Sequence, residues 1–166
     1  MKYFFDTEFI DQPYTLDMIS IGIVAEDGRE YYAESNEVDW SRASKWTLAH
    51  VKPQLEGFGM EREKIGYAIR RFTEHDEAPE FWGYFPAHDW VMFCWLFGGM
   101  GELPFHYPQH CLDLRQWAMH LGDPELPHQS SARHNALADA KWTKQVWEFL
   151  ARLDPEGAVN RSRVGG

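Results

Sequence analysis

Two carboxylates, Asp6 and Glu8, interrupt an otherwise aromatic and apolar run, Tyr3-Phe4-Phe5-Asp6-Thr7-Glu8-Phe9, close to the N-terminus. So many aromatic residues in so short a run favour a β-strand. Side chains alternate along a strand, so Asp6 and Glu8 point to the same face. Two acids side by side among aromatic rings repel each other and lose hydration unless a cation lies between them. A divalent metal ion explains the pair economically; an edge strand with two acids on its polar face is the plainer alternative. The choice between them depends on acids elsewhere in the chain.

A length of 166 residues suits one globular domain with a real core, and 44% hydrophobic with 16% aromatic residues excludes disorder over most of it. No apolar run is long enough to span a bilayer, and Lys2-Tyr3-Phe4-Phe5-Asp6 carries no signal-peptide pattern, so the expectation is a soluble, cytoplasmic protein. Cys94 and Cys111 are far apart and form no Cys-x-x-Cys, which reads as two buried free thiols in a reducing compartment. A net charge of −10 excludes strong nonspecific coating of long duplexes. It does not exclude a nucleic-acid substrate, because metal ions and a few local cations can hold phosphates.

After the first strand, Asp11-Gln12-Pro13-Tyr14 reads as a turn, residues 17–25 as a second strand, and Asp27-Gly28 as a hairpin turn into a third. The spacing predicts a helix over 39–51, with Trp40, Ala43, Trp46 and Leu48 among its apolar positions, and a second over 61–75 with the stripe Ile65, Ala68, Ile69 and Phe72. The charges Arg62, Lys64, Arg70 and Arg71 fall on the opposite face, which reads as solvated, with contact to phosphates as the alternative. Residues 79–85 read as a fourth strand and 88–97 as a helix apolar nearly all round, with Asp89 at its start as either a cap or a site residue. A short fifth strand over 109–112, a helix over 113–121, a connector over 123–131 and a long amphipathic helix over 134–150 complete the pattern. Beyond Asp154-Pro155 the composition suggests a frayed tail. The sum is a single α/β domain, a mixed five-stranded sheet flanked by helices, with the acids gathered at one edge of the sheet.

Besides Asp6 and Glu8, Asp89 stands at a strand-to-helix junction and Asp139 in the last helix, five residues after His134. A five-residue offset rotates by about 140° on a helix, so His134 and Asp139 share a cleft only if His134 lies at a loose first turn. In order and spacing, Asp-x-Glu, the middle Asp and His-x4-Asp resemble the three motifs of the DEDDh 3′-5′ exonucleases, within the ribonuclease H-like superfamily. The resemblance covers most of the chain. The opening Tyr-Phe-Phe-Asp-Thr-Glu-Phe-Ile-Asp, with Ile19-Ser20-Ile21-Gly22, is similar still more closely to a small mycobacterial subgroup of ribonuclease T-related exoribonucleases.

The resemblance implies an exonuclease domain over 1–154, a flexible tail over 155–166, and a ribonuclease H-like fold. It also implies two Mg²⁺ or Mn²⁺ ions, with Asp6 bridging them, Glu8 and Asp139 completing one site and Asp89 holding the second. His134 would be the general base. The implied substrate is single-stranded RNA or a 3′ overhang, with DNA as the alternative, and the products are nucleoside 5′-monophosphates. Hard oxygen ligands suit these ions, and histidine titrates in the range that proton abstraction near neutrality needs. Phe9 and Ile10, directly after Glu8, are candidate contacts to the terminal base, and His88 borders the cleft. A homodimer, with Arg62, Arg70 and Arg71 as a basic patch, is the expected assembly. Two rival readings compete with it: an all-α phosphohydrolase built on His88-Asp89 and His75-Asp76, and a non-catalytic nucleic-acid-binding module. The best acid pair lies on a strand, against the first; all five motif positions are filled with chemically competent residues, against the second.

Overall fold

The computed structural model of the protein describes residues 1–129 and 133–161, and its sheet is built outward from the strand bearing the acid pair. β1 (Lys2–Gln12) turns at Pro13-Tyr14 into β2 (Thr15–Ala25), and Asp27-Gly28 leads on to β3 (Glu30–Ser35). These three strands pair antiparallel. β4 (Gly59–Met60), β5 (Glu80–Gly83) and β6 (Leu112–Asp113) add parallel neighbours, in the order β4-β3-β2-β1-β5-β6. The α/β, ribonuclease H-like expectation of a mixed sheet flanked by helices holds, with six strands instead of five. The extra one, β4, is two residues long and has no hydrophobic pattern to announce it.

The acids do not lie at a sheet edge. β1 is an inner strand, paired by β2 on one side and β5 on the other. Alternation along it sends Tyr3 and Phe5 into one core with Ile21, Ile23, Ile65, Ile69 and Phe93, and sends Phe4 into another with Trp82, Trp117, Val146 and Leu150. Each large side chain fully withdrawn from water contributes about 1.5–3 kcal/mol, so β1 is fixed from both faces. α2 (Arg62–Phe72) and α3 (Ala87–Trp95) supply the first core; α4 (Leu114–His120) and α5 (Ala136–Leu153) supply the second.

The segment 39–51 departs from the single helix expected. It forms a 3₁₀ turn at Trp40–Arg42 and then the short α1 (Lys45–His50). Ala43 is extended, and the Ser44 hydroxyl accepts from the Thr47 N–H, which starts α1 afresh. Thr47 and Val51 are buried in place of the expected stripe, leaving Trp46 and Leu48 exposed. α3 is also less buried than its composition suggests, since Val91 and Trp95 face solvent. Arg62 does not lie on a solvated face: its guanidinium pairs with the buried Asp17 and donates to the Met18 carbonyl. Pro155–Arg161 forms α6 where a frayed tail was expected. Asp154 begins it by accepting from the Gly157 N–H at 2.9 Å and the Trp117 indole at 3.0 Å. The rest of the expected tail, 162–166, lies outside the described residues. Among the described residues no helix is long and apolar enough to cross a membrane.

Candidate active site

Asp6 and Glu8 follow Phe4 along one face of β1, the face that α5 covers. α5 begins at Asn135, whose side chain accepts from the Ala138 N–H, and this cap places Asp139 in the first turn, above the acid pair. One carboxylate oxygen from each of Asp6, Glu8 and Asp139 lies within 4.8 Å of the other two. The approach of α5 depends on Gly22, which pairs with Asp6 across the sheet. A Cβ at that position would stand 2.3 Å from the Ala136 carbonyl oxygen and 2.4 Å from Leu137 Cα, so only glycine lets the helix start rest on the strand.

Asp89 reaches the same strand from its other face. Thr7, between the two acids, points toward α3, and its backbone N–H and hydroxyl both donate to Asp89 Oδ1, at 2.9 and 2.5 Å. Both groups are buried. A β-bulge lies alongside, where the pairing passes from Glu8–Ser20 to Phe9–Met18 and skips Ile19, which packs instead with Ile10 and Val51.

Burial pushes the Asp6 carboxyl well above the usual carboxylate range, and the neighbouring charges of Asp89, Asp139 and Glu8 push it further. Glu8 rises to about 8, first through burial and then through Asp139. Burial also raises Asp89, against the opposing effect of its two hydrogen bonds from Thr7. The bare protein thus concentrates acids whose charged forms disfavour one another, and a divalent cation bound among hard oxygen donors removes that conflict. The donor set fits such an ion.

A family model described as the 3′-5′ exoribonuclease Rv2179c-like domain matches residues 1–151. The chain belongs to that family. Two proteins of Mycobacterium tuberculosis are similar to it along nearly their whole lengths: 3′-5′ exoribonuclease Rv2179c of strain H37Rv and 3′-5′ exoribonuclease MT2234.1 of strain CDC 1551. Each is 38% identical over 163 residues, covering 95% of this chain and 97% of the relative.

In this member of the Rv2179c-like family, His134 stands just before α5 at a positive φ of 67°, outside the helix. Its backbone N–H donates to Asp139 Oδ2 at 3.0 Å, and its ring lies edge-on to Trp46 at 4.7 Å. Phe9 packs edge-on to the exposed His88 at 5.7 Å. Glu8, Phe9 and Ile10 line an open cleft of about 610 Å³ whose far wall includes Trp46 and Val51. Ile10 itself is 3% exposed, held mainly by the core. Of the basic patch, Arg71 pairs with Glu74 and Arg62 with Asp17, while Arg70 lines a separate cleft between α2 and α3 with Tyr67 and Trp95.

Four residues at the site escaped the sequence reading. Thr7 carried a signal, since its position between two site acids sends it to the opposite face, where a buried hydroxyl requires a partner. Gly22 carried one too: an isolated glycine in an apolar strand marks a close backbone approach. Helical spacing over 39–51 counts Trp46 only as one of the apolar positions, and the chain does not follow that spacing. Gln129, whose side-chain amide donates to Asp139 Oδ1, comes from an irregular connector with no readable pattern.

Proposed function

We propose that the protein is a metal-dependent 3′-5′ exoribonuclease that releases nucleoside 5′-monophosphates one at a time from RNA 3′ ends or overhangs. The observation that carries the reading is the convergence of Asp6, Glu8 and Asp139 within 4.8 Å, from the first strand and the last long helix. Membership of a family named for 3′-5′ exoribonuclease activity supports it from an independent direction. Asp6, Glu8 and Asp139 would hold one Mg²⁺ or Mn²⁺ ion, and Asp6 with Asp89 would hold a second. Two such ions, when bound, activate water and neutralise charge on the attacking and leaving oxygens of an in-line displacement. A ring nitrogen of His134 takes the proton of the attacking water, and the imidazole packs edge-on against Trp46, which lines the cleft that admits the chain end. Thr7 fixes the orientation of Asp89, and Gln129 that of Asp139. The terminal nucleoside enters between Phe9 and Trp46.

The test is a gel time course on 5′-labelled single-stranded RNA and DNA with Mg²⁺, Mn²⁺ or EDTA, comparing wild type with Asp6→Ala and His134→Ala. The expected result is a ladder shortening from the RNA 3′ end, lost in EDTA and in both variants. Faster shortening of DNA would move the reading to a DNA exonuclease. Tight metal-independent binding of RNA without cleavage would replace it with a binding module. A homodimer acting in the cytoplasm belongs to the same reading, and a monomer mass by light scattering would remove that part.

A further inference from the structure

The acids stand at one end of a row of aromatic rings. Trp142, one turn beyond Asp139 on α5, donates its indole N–H to the Pro127 carbonyl at 2.8 Å and lines an open groove of about 400 Å³ with Gln129, Arg133, His134 and Asp139. Tyr84 lies edge-on to Trp142 at 4.9 Å, and Phe85 edge-on to Tyr84 at 5.2 Å. β5 runs parallel to β1 with Trp82 opposite Phe4, and Tyr84 directly follows its last residue, Gly83. The row therefore starts at the site and leads away from it.

Phe85 ends the row in a conformation that folding alone does not favour. Its φ is 56°, a region costly for a bulky side chain. It also precedes Pro86, which disfavours helical backbone at the residue before it. The residue is 63% exposed, so little hydrophobic stabilisation is gained in return. The surroundings nevertheless enforce the turn. The Phe85 N–H donates to Asp113 Oδ1 at 3.3 Å, and the Ala87 N–H donates to the Phe85 carbonyl at 2.9 Å. A Cβ on Gly83 would stand 2.5 Å from Pro86 Cβ, so the tight packing there requires glycine. The Arg115 guanidinium lies 5.9 Å from the ring centroid and is engaged by the Asp123 carboxylate. It is thus a neutralised cover at the ring and not a free phosphate ligand.

We propose that Phe85 is a stacking shelf for a substrate nucleobase outside the catalytic cleft, with Tyr84 and Trp142 forming the path to it. The proposal rests on the exoribonuclease reading above. Stacking on an aromatic face needs no particular base, which suits an enzyme that moves stepwise along a polymer. The base belongs either to the single strand upstream of the scissile bond or to the last base pair of a duplex with a 3′ overhang. Both present the same π-face.

Phe85→Gly tests the shelf, because glycine relieves the backbone strain while removing the ring. The variant should melt at or above the wild-type temperature, and Phe85→Trp should keep the wild-type substrate behaviour. KM is measured for a single-stranded RNA and for a duplex with a two-nucleotide 3′ overhang, alongside the p-nitrophenyl ester of a nucleoside 5′-monophosphate, which fills only the catalytic cleft. Phe85→Gly should lower the preference for polymer over ester about tenfold, through KM. An effect confined to the single strand identifies the upstream base; one confined to the duplex identifies the terminal pair. An unchanged preference on both polymers overturns the shelf. Quenching of a 2-aminopurine-labelled RNA with Ca²⁺ in place of Mg²⁺ reads stacking without turnover. Thus a wild type that cleaves nothing would remove the exonuclease reading, while loss of quenching in Phe85→Gly would still support the shelf, and equal quenching would still refute it.

Discussion

Replacing Gly22 by alanine tests how the site is held together. The added methyl would lie 2.3 Å from the Ala136 carbonyl oxygen and 2.4 Å from Leu137 Cα, against the 3.4–4 Å of ordinary contact. The start of α5 must therefore lift by about 1 Å, because close-packed backbone has no slack to absorb the methyl. Asp139 lies in that first turn and would move with it, away from Asp6 and Glu8. A misplacement of about 1 Å at a reacting centre lowers the rate by about a hundredfold. Overpacking costs about 1–3 kcal/mol, partly offset by the roughly 0.4–1 kcal/mol that alanine removes from the unfolded chain's entropy. The net loss, about 1–2 kcal/mol, corresponds to a fall in Tm of roughly 2–8 °C for a domain of this size. The assays are kcat/KM on labelled RNA, Mn²⁺ affinity by isothermal titration, and thermal unfolding. Gly101→Ala is the control, since a Cβ there meets nothing within 4 Å. A Gly22→Ala protein with wild-type kcat/KM and Mn²⁺ affinity would refute the idea that this approach sets the site.

Thr7→Val keeps the backbone donor to Asp89 but removes the hydroxyl, and should reduce kcat/KM by about five- to thirtyfold, the equivalent of about 1–2 kcal/mol; unchanged kinetics would show that the hydroxyl does not orient Asp89. The raised carboxyls of Asp6, Glu8 and Asp89 stabilise the fold below the ordinary carboxylate range, and that contribution is lost as pH rises through their folded values. In EDTA, Tm should accordingly fall between pH 4.5 and about 8, the span of the Glu8 shift, and Mn²⁺ should raise Tm more at pH 8 than at pH 6; a flat metal-free profile would count against the buried acid cluster. Arg62→Ala breaks an ion pair whose carboxylate is largely buried and should lower stability by about 1–3 kcal/mol in denaturant titrations, less than for a fully buried pair because the guanidinium is partly exposed. Its KM for RNA should stay at the wild-type value, and a large rise would return Arg62 to the substrate path.

The features readable from sequence were those set by local periodicity. Asp6 and Glu8 declared themselves because strand alternation puts them on one face, and Asp27-Gly28 marked its turn because few residues accept that backbone. The break at Ala43–Ser44 was hidden because a serine cap inside a helical pattern is outvoted by spacing until tertiary contacts, here the burial of Thr47 and Val51, choose another register. The helix at Pro155–Arg161 had its signal in Asp154-Pro155-Glu156, a capping acid with proline in the first turn, but the glycine and polar residues after it obscured the pattern. The roles of Gly22 and Gln129 depend on what the distant helix α5 does: the lone glycine marks a close approach without naming what approaches, and nothing local marks Gln129.

The clasp on β1 also has a consequence for when the protein becomes chemically competent. Two of the carboxylates are synthesised almost first, a third is tied to Thr7 across 82 residues, and the last arrives on the helix that starts at Ala136. A ribosome partway through the message carries a nascent chain with strands and aromatic core but without Asp139. On the proposed reading, an RNA-degrading activity that needs all of these carboxylates would stay silent beside the very transcript being read, until the final long helix docks and closes the centre.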